Sequence, residues 1–233
     1  MKSNILKYQL THDLLIKAKN DLKTHGYFLF DEIFNDEYCD SIIDEIDKLS
    51  ESDDVEENYG GSEHRIWSSH EKSSDIEMFK GFSDKITSFC INREENAYDI
   101  LAYRNVEIDT FNASLLTNRW HIDSLNQQLK VFLFLKEVKD SDGPLQWIPS
   151  TQRSLFKYMQ VIKGNYLSPF DLFGENRKYQ NIPDEKVQNY LRKGYTTNEC
   201  TVGKGTAVLI DTSCIHRAKP CFGTRYALCS YYS

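Results

Sequence analysis

The stretch RWHIDSLNQQLKVFLFLKEV, residues 119–138, decides the fold. Its second half, LKVFLFLKEV, is rich in aromatic and β-branched residues, an apolar run suited to a strand. Its first half places His121 two residues before Asp123 at the end of another strand-like run. Side chains two apart on a strand share a face, so the pair can present two ligands to one metal ion. A three-residue motif alone is weak, and its weight depends on what surrounds it.

Outward from that stretch the β character continues. YDILAYRNVEIDTFNASLL (98–116), LQWIP (145–149), GTAVLID (205–211) and RYALCSYYS (225–233) all read as strands, with DSDGP (140–144) as a turn. PDEKVQNYLRKG (183–194) has a proline start, helical spacing and a glycine stop. Residues 163–182 show no clear period and read as a long loop. The amino-terminal part differs. DEYCDSIIDEIDKLS (36–50) sets Cys39, Ile42, Ile43, Ile46 and Leu49 on one helical face, with Asn35 or Asp36 as cap. GYFLF (26–30) predicts a short buried strand before it, and SDKITSFCIN (83–92) a second amphipathic helix. ESDDVEEN (51–58), followed by Gly60 and Gly61, reads as a solvated loop. The order predicts a mainly β protein with flanking helices, a small barrel or two-sheet jelly roll. We expect a single domain over 1–233, with a helix-and-strand part to residue 97 and a β core from 98 to 233.

Composition narrows the function. A net charge of −7 opposes nucleic-acid binding, which needs a basic face. The first residues lack the apolar core of a signal peptide, and no stretch approaches a membrane span. The six cysteines include no CxxC pair and read as reduced thiols. The expectation is a cytoplasmic protein acting on a small molecule, with no nucleic-acid or membrane partner. With 40% hydrophobic and 13% aromatic residues, the chain can bury a full core and still enclose a cavity.

A third ligand is available. VLIDTSCIHRAKP places His216 after a buried strand and a turn. Two histidines and a carboxylate make a facial triad that holds non-haem Fe(II) and leaves positions open. Arg225 follows nine residues later at the start of the last strand. Its rigid fork binds carboxylates bidentately, as a dicarboxylate cosubstrate such as 2-oxoglutarate would require.

These residues carry a resemblance. WHID, DGPLQWIPSTQR, GTAVLIDTSCIHRA and GTRYALCSYY are similar to the phytanoyl-CoA dioxygenase family of Fe(II)/2-oxoglutarate oxygenases. The likeness runs loosely from residue 25 to the carboxyl terminus. It implies a double-stranded β-helix, with iron held by His121, Asp123 and His216 and 2-oxoglutarate by Arg225. Asn112 is a candidate for the other end of the cosubstrate. It also implies O2-dependent decarboxylation of 2-oxoglutarate to succinate and CO2, coupled to oxidation of a C–H bond. Halogenases of the family carry Gly or Ala in place of the metal carboxylate, so Asp123 favours hydroxylation or another oxidation. Ala218 stands where several relatives carry serine.

Other readings stay open: a metal-dependent jelly-roll isomerase or epimerase, a non-catalytic small-molecule-binding module, or a protein-hydroxylating oxygenase. Arg225 favours an oxygenase over an isomerase. Trp120 and Trp147 read as core, Arg217 as a structural salt-bridge former turned away from His216, and His64 and His70 as surface residues. Residues 58–75 and 160–182 are expected to shape the pocket.

Overall fold

The computed structural model describes residues 5–51, 55–58, 61–106, 119–163 and 178–232. Two antiparallel sheets face one another, with helices on their outer faces. This is the predicted jelly roll with flanking helices.

The chain opens with α1 (His12–His25), capped by the Thr11 hydroxyl and ended by Gly26 at φ 88°. Sequence reading missed this helix, although Leu15, Ala18 and Leu22 fall on one face and are buried. β1 (Tyr27–Phe30) and α2 (Asp36–Leu49) lie where expected, and the Asn35 side chain accepts the Tyr38 amide. Next comes a hairpin, β2 (Glu56–Asn58) and β3 (Glu63–Ile66), in the region read as loop. These polar residues have little strand propensity; pairing with β4 imposes the conformation. The short α3 (Ser69–Lys72) leads to α4 (Ser74–Ile91), which begins nine residues before the predicted helix because Ser73 caps it.

The remaining elements are β4 (Asp99–Asn105), β5 (His121–Ser124), β6 (Leu129–Phe134), β7 (Leu145–Trp147), α5 (Ser154–Ile162), β8 (Lys178–Asn181), α6 (Asp184–Arg192), β9 (Asn198–Glu199), β10 (Ala207–Asp211), β11 (His216–Ala218) and β12 (Arg225–Tyr231). β8 is a strand inside the stretch read as loop, and it pairs with β5.

The larger sheet runs β1-β10-β6-β12-β4-β3-β2 and the smaller β8-β5-β11-β7-β9. α1, α2 and α4 cover the outer face of the larger sheet, where Ile42, Ile46, Phe79 and Ile86 pack with Val131, Leu133, Leu209 and Leu228. Each such burial stabilises by about 1.5–3 kcal/mol. α5 and α6 cover the smaller sheet through Phe156, Val187 and Tyr190 against Trp120, Ile122 and Ile215. Covered on both faces, the central strands of the larger sheet read as continuous apolar runs.

Between the sheets, strand register sets the inner face of the larger sheet in rows. Glu63, Asn105 and Arg225 form the first row, and Arg65, Tyr103, Ala227 and Phe134 the second. Leu101, Cys229, Phe132 and Val208 form the third, and Asp99, Tyr231, Lys130 and Ile210 the fourth. The first row is polar, the middle rows are mostly apolar, and the last carries Lys130 and, at its β4 end, Asp99, whose Oδ1 accepts the Ser68 amide.

Candidate active site

His121 begins β5 and His216 begins β11, and the two are directly paired across these antiparallel strands. Their ring centroids are 4.2 Å apart. Asp123 lies two residues along β5 on the same face, with Oδ1 3.6 Å from His121 Nε2 and Oδ2 3.6 Å from His216 Nε2. One ligand atom from each residue falls within 4.8 Å of the others. The three thus converge as expected, although 92 residues lie between Asp123 and His216 in the chain.

The tautomers follow from the backbone. His121 Nδ1 lies 2.9 Å from the Arg119 carbonyl and His216 Nδ1 3.0 Å from the Cys214 carbonyl. A carbonyl only accepts, so each Nδ1 carries the proton and each Nε2 turns a lone pair toward the common centre. Burial pushes the His216 imidazole down to about 4 and lowers His121 as well, so both rings are neutral near pH 7. Burial alone would raise the Asp123 carboxyl. His216, Lys130 and His121 outweigh it and hold Asp123 well below the usual carboxylate range. Two neutral imidazoles and one carboxylate are the donor set for a divalent transition metal.

Lys130, on β6, reaches across from the larger sheet. Its Nζ is 2.7 Å from Asp123 Oδ2 and 4.5 Å from the Tyr231 ring centroid. Sequence reading passed over it. The available signal was its alternation with Phe132 and Phe134, which puts a charge on the face that lines the cavity.

The triad opens into a cavity of about 450 Å³ between the sheets. Arg225 lies on its wall, 5% exposed. One terminal nitrogen of Arg225 donates to the Gly143 carbonyl, the other to Asn105 Oδ1 at 3.0 Å. Asn105 Nδ2 in turn donates to Glu63 Oε2 at 2.8 Å, and Arg65 Nε to Glu63 Oε1 at 2.6 Å. This chain fixes the plane of the guanidinium, whose buried Nε has no hydrogen-bond partner. A buried, unmet charged donor suits an anionic ligand in the cavity. Gly143 is required here: its φ is +67°, and a Cβ would stand 2.6 Å from the Lys219 carbonyl oxygen.

Asn112 lies outside the described residues. Arg217 turns away from His216: Nε donates to Gln146 Oε1 at 2.8 Å, the guanidinium stacks 4.3 Å from the Trp120 ring centroid, and Asp184 and Glu199 act on its charge. Trp120 and Trp147 are core residues as read. His64 and His70 are half-buried, each with a buried Nδ1, and are not solvated surface groups. All six cysteines are free and buried. Of the expected pocket-shaping regions, 58–75 contributes Glu63 and Arg65 to the cavity wall. Among the described residues no helix is long and apolar enough to cross a membrane.

No family model and no curated protein sequence matches the chain. Solved structures do. The epimerase SnoN from nogalamycin biosynthesis, in complex with Fe3+, alpha ketoglutarate (2-oxoglutarate) and nogalamycin RO, aligns with a TM-score of 0.70 at 8% identity, over 95% of this chain and 84% of that one. EctD from S. alaskensis, with 2-oxoglutarate and 5-hydroxyectoine, gives 0.67 at 15% identity, over 98% and 80%. A prolyl-4-hydroxylase from Pseudomonas putida gives 0.59 at 11% identity, over 94% and 97%. At these identities the likeness is one of fold, and the fold this chain shares is that of the Fe(II)/2-oxoglutarate-dependent enzymes.

Proposed function

We propose that this protein is a non-haem Fe(II)- and 2-oxoglutarate-dependent oxygenase of the phytanoyl-CoA dioxygenase type, acting on a small molecule. The observation that carries the reading is the convergence of His121, Asp123 and His216 on one cavity that also holds Arg225. β1, β2 and β3 complete the larger sheet, which supports reading residues 1–233 as a single oxygenase domain.

The donor set fits the metal, and the orphaned Arg225 Nε fits a carboxylate. His121, Asp123 and His216 would hold Fe(II), and Arg225 the far carboxylate of 2-oxoglutarate. With 2-oxoglutarate and O2, Fe(II) supplies the oxidising power to attack an unactivated C–H bond. The protein binds and orients. The Arg119 and Cys214 carbonyls keep both imidazole protons on Nδ1, so the rings cannot turn their lone pairs away. Asn105 and Gly143 aim Arg225. Tyr103, Phe132 and Phe134 keep the middle of the cavity apolar, which strengthens each charge interaction inside it.

Asp123 opposes halogenation. Arg225 does not separate hydroxylation from epimerisation, because SnoN is an alpha-ketoglutarate-dependent epimerase with this fold. Arg225 therefore supports use of 2-oxoglutarate by either kind of enzyme.

The test is an anaerobic titration of the metal-free protein with Fe(II) and 2-oxoglutarate. Bidentate 2-oxoglutarate on ferrous iron gives a weak visible charge-transfer band. The band is expected in the wild type and lost in Arg225→Ala at the same cosubstrate concentration. Iron binding without any band would overturn the reading and bring forward the non-oxidative isomerase or the binding module.

A further inference from the structure

Among the described residues, the charges around the cavity do not cancel once the proposed metal and cosubstrate are in place. Among the described residues, its wall carries Glu63 and Asp123 against Arg65, Lys130, Lys219 and Arg225. Arg65 is paired with Glu63 at 2.6 Å, and Lys219 with Glu199 at 2.7 Å. A ferrous ion and Arg225 together match Asp123 and the two carboxylates of 2-oxoglutarate. Lys130 is then left over. Its present partner is Asp123, whose charge the metal takes up, and its side chain is only 12% exposed. One Asp123 charge shared between the metal and Lys130 cannot neutralise both, so among the described residues the loaded cavity is one negative charge short.

The surroundings of Lys130 say where that charge sits. Lys130 occupies the fourth row of the inner face and Arg225 the first, so the two cations stand at opposite ends of the cavity. The Tyr231 ring lies under the Lys130 ammonium, and Trp67 and Tyr98 flank Tyr231 at 5.6 and 6.0 Å between centroids. Trp67 is 36% and Tyr98 61% exposed, so this aromatic lip faces solvent. Tyr231 lines the cavity, so the three rings carry an aromatic surface from Lys130 out to solvent, along which a flat group bearing an anion would fit.

We propose that Lys130 is a specificity-determining residue, and that the substrate is an aromatic or similarly planar monocarboxylate whose carboxylate pairs with Lys130. This rests on the oxygenase reading, because the surplus charge arises only with metal and cosubstrate bound.

Benzoate and benzamide are the probes, being alike in shape and different in charge. Each is titrated anaerobically into protein holding Fe(II) and saturating 2-oxoglutarate, and the shift of the visible band reports binding near the metal. Benzoate is expected to bind at least tenfold more tightly than benzamide. Lys130→Met should erase that preference and Lys130→Arg should keep it. Equal binding of the two probes to the wild type, no response to either, or a preference that survives Lys130→Met would overturn the proposal. The wild-type comparison and Lys130→Arg decide the matter should Lys130→Met fail to fold. Absence of the band before any probe is added would instead sink the oxygenase reading, so the two failures are distinguishable.

Discussion

His216 stands directly opposite His121 on the neighbouring antiparallel strand, and each ring donates its Nδ1 proton to a backbone carbonyl two residues upstream. The imidazoles are therefore set by the ladder and the backbone before any metal arrives. His216→Gln should keep the fold and lower Fe(II) affinity by at least 100-fold. Asp123→Ala should abolish iron-dependent turnover of 2-oxoglutarate altogether. Metal titration followed by succinate assay checks both. Wild-type turnover in Asp123→Ala would remove that residue from the site.

Asn105 connects the Arg225 guanidinium to Glu63. A hydrogen bond to a charged group contributes about 1.5–3 kcal/mol, so Asn105→Ala should weaken 2-oxoglutarate binding by roughly 10- to 100-fold. Iron affinity should stay within about twofold, because Asn105 touches none of the three metal-facing side chains. Cosubstrate KM measured at saturating iron separates this from general damage, which would move both constants.

Gly143 meets two demands at once, a positive φ and backbone packing against Lys219. Gly143→Ala should cost about 1–3 kcal/mol in urea unfolding. It should also raise the KM for 2-oxoglutarate, since the Gly143 carbonyl holds Arg225. Loss of stability with an unchanged KM would show that Arg225 is positioned by Asn105 alone.

Much of this site was legible in the sequence because strands obey a period of two. That period put His121 and Asp123 on one face and made Arg217 turn away, while Asp, Gly and Pro in DSDGP marked the turn whose Gly143 carbonyl holds Arg225. The same period would have exposed Lys130, but the apolar weight of LKVFLFL hid a lone charge at its start. The β2–β3 hairpin was not legible, because Glu56, Glu57 and Asn58 are strand residues only through pairing with Glu63, His64 and Arg65. Helix α1 was legible and overlooked: Thr11, the spacing of Leu15, Ala18 and Leu22, and Gly26 mark its start, face and end.

The metal-free protein should lose stability as the pH falls from about 7 toward 5. His216 titrates near 6.5 in the unfolded chain and near 4 when folded, because burial disfavours its cation. Between those values the unfolded state binds more protons than the folded one, so acidification favours unfolding there and the effect levels off below about 4. His121, lowered by the same cause, adds in the same direction. Asp123 does not contribute in this window: its carboxyl is held below the ordinary range, and the stability it lends goes only at more acid pH. The measurement is Tm against pH for the wild type and His216→Gln, both without metal. Glutamine cannot titrate, so the variant's Tm should fall less between pH 7 and 5, with the remaining slope due to His121 and other groups. Parallel curves would mean that His216 titrates alike in the folded and unfolded protein, which would overturn the buried, neutral ring assigned to the site.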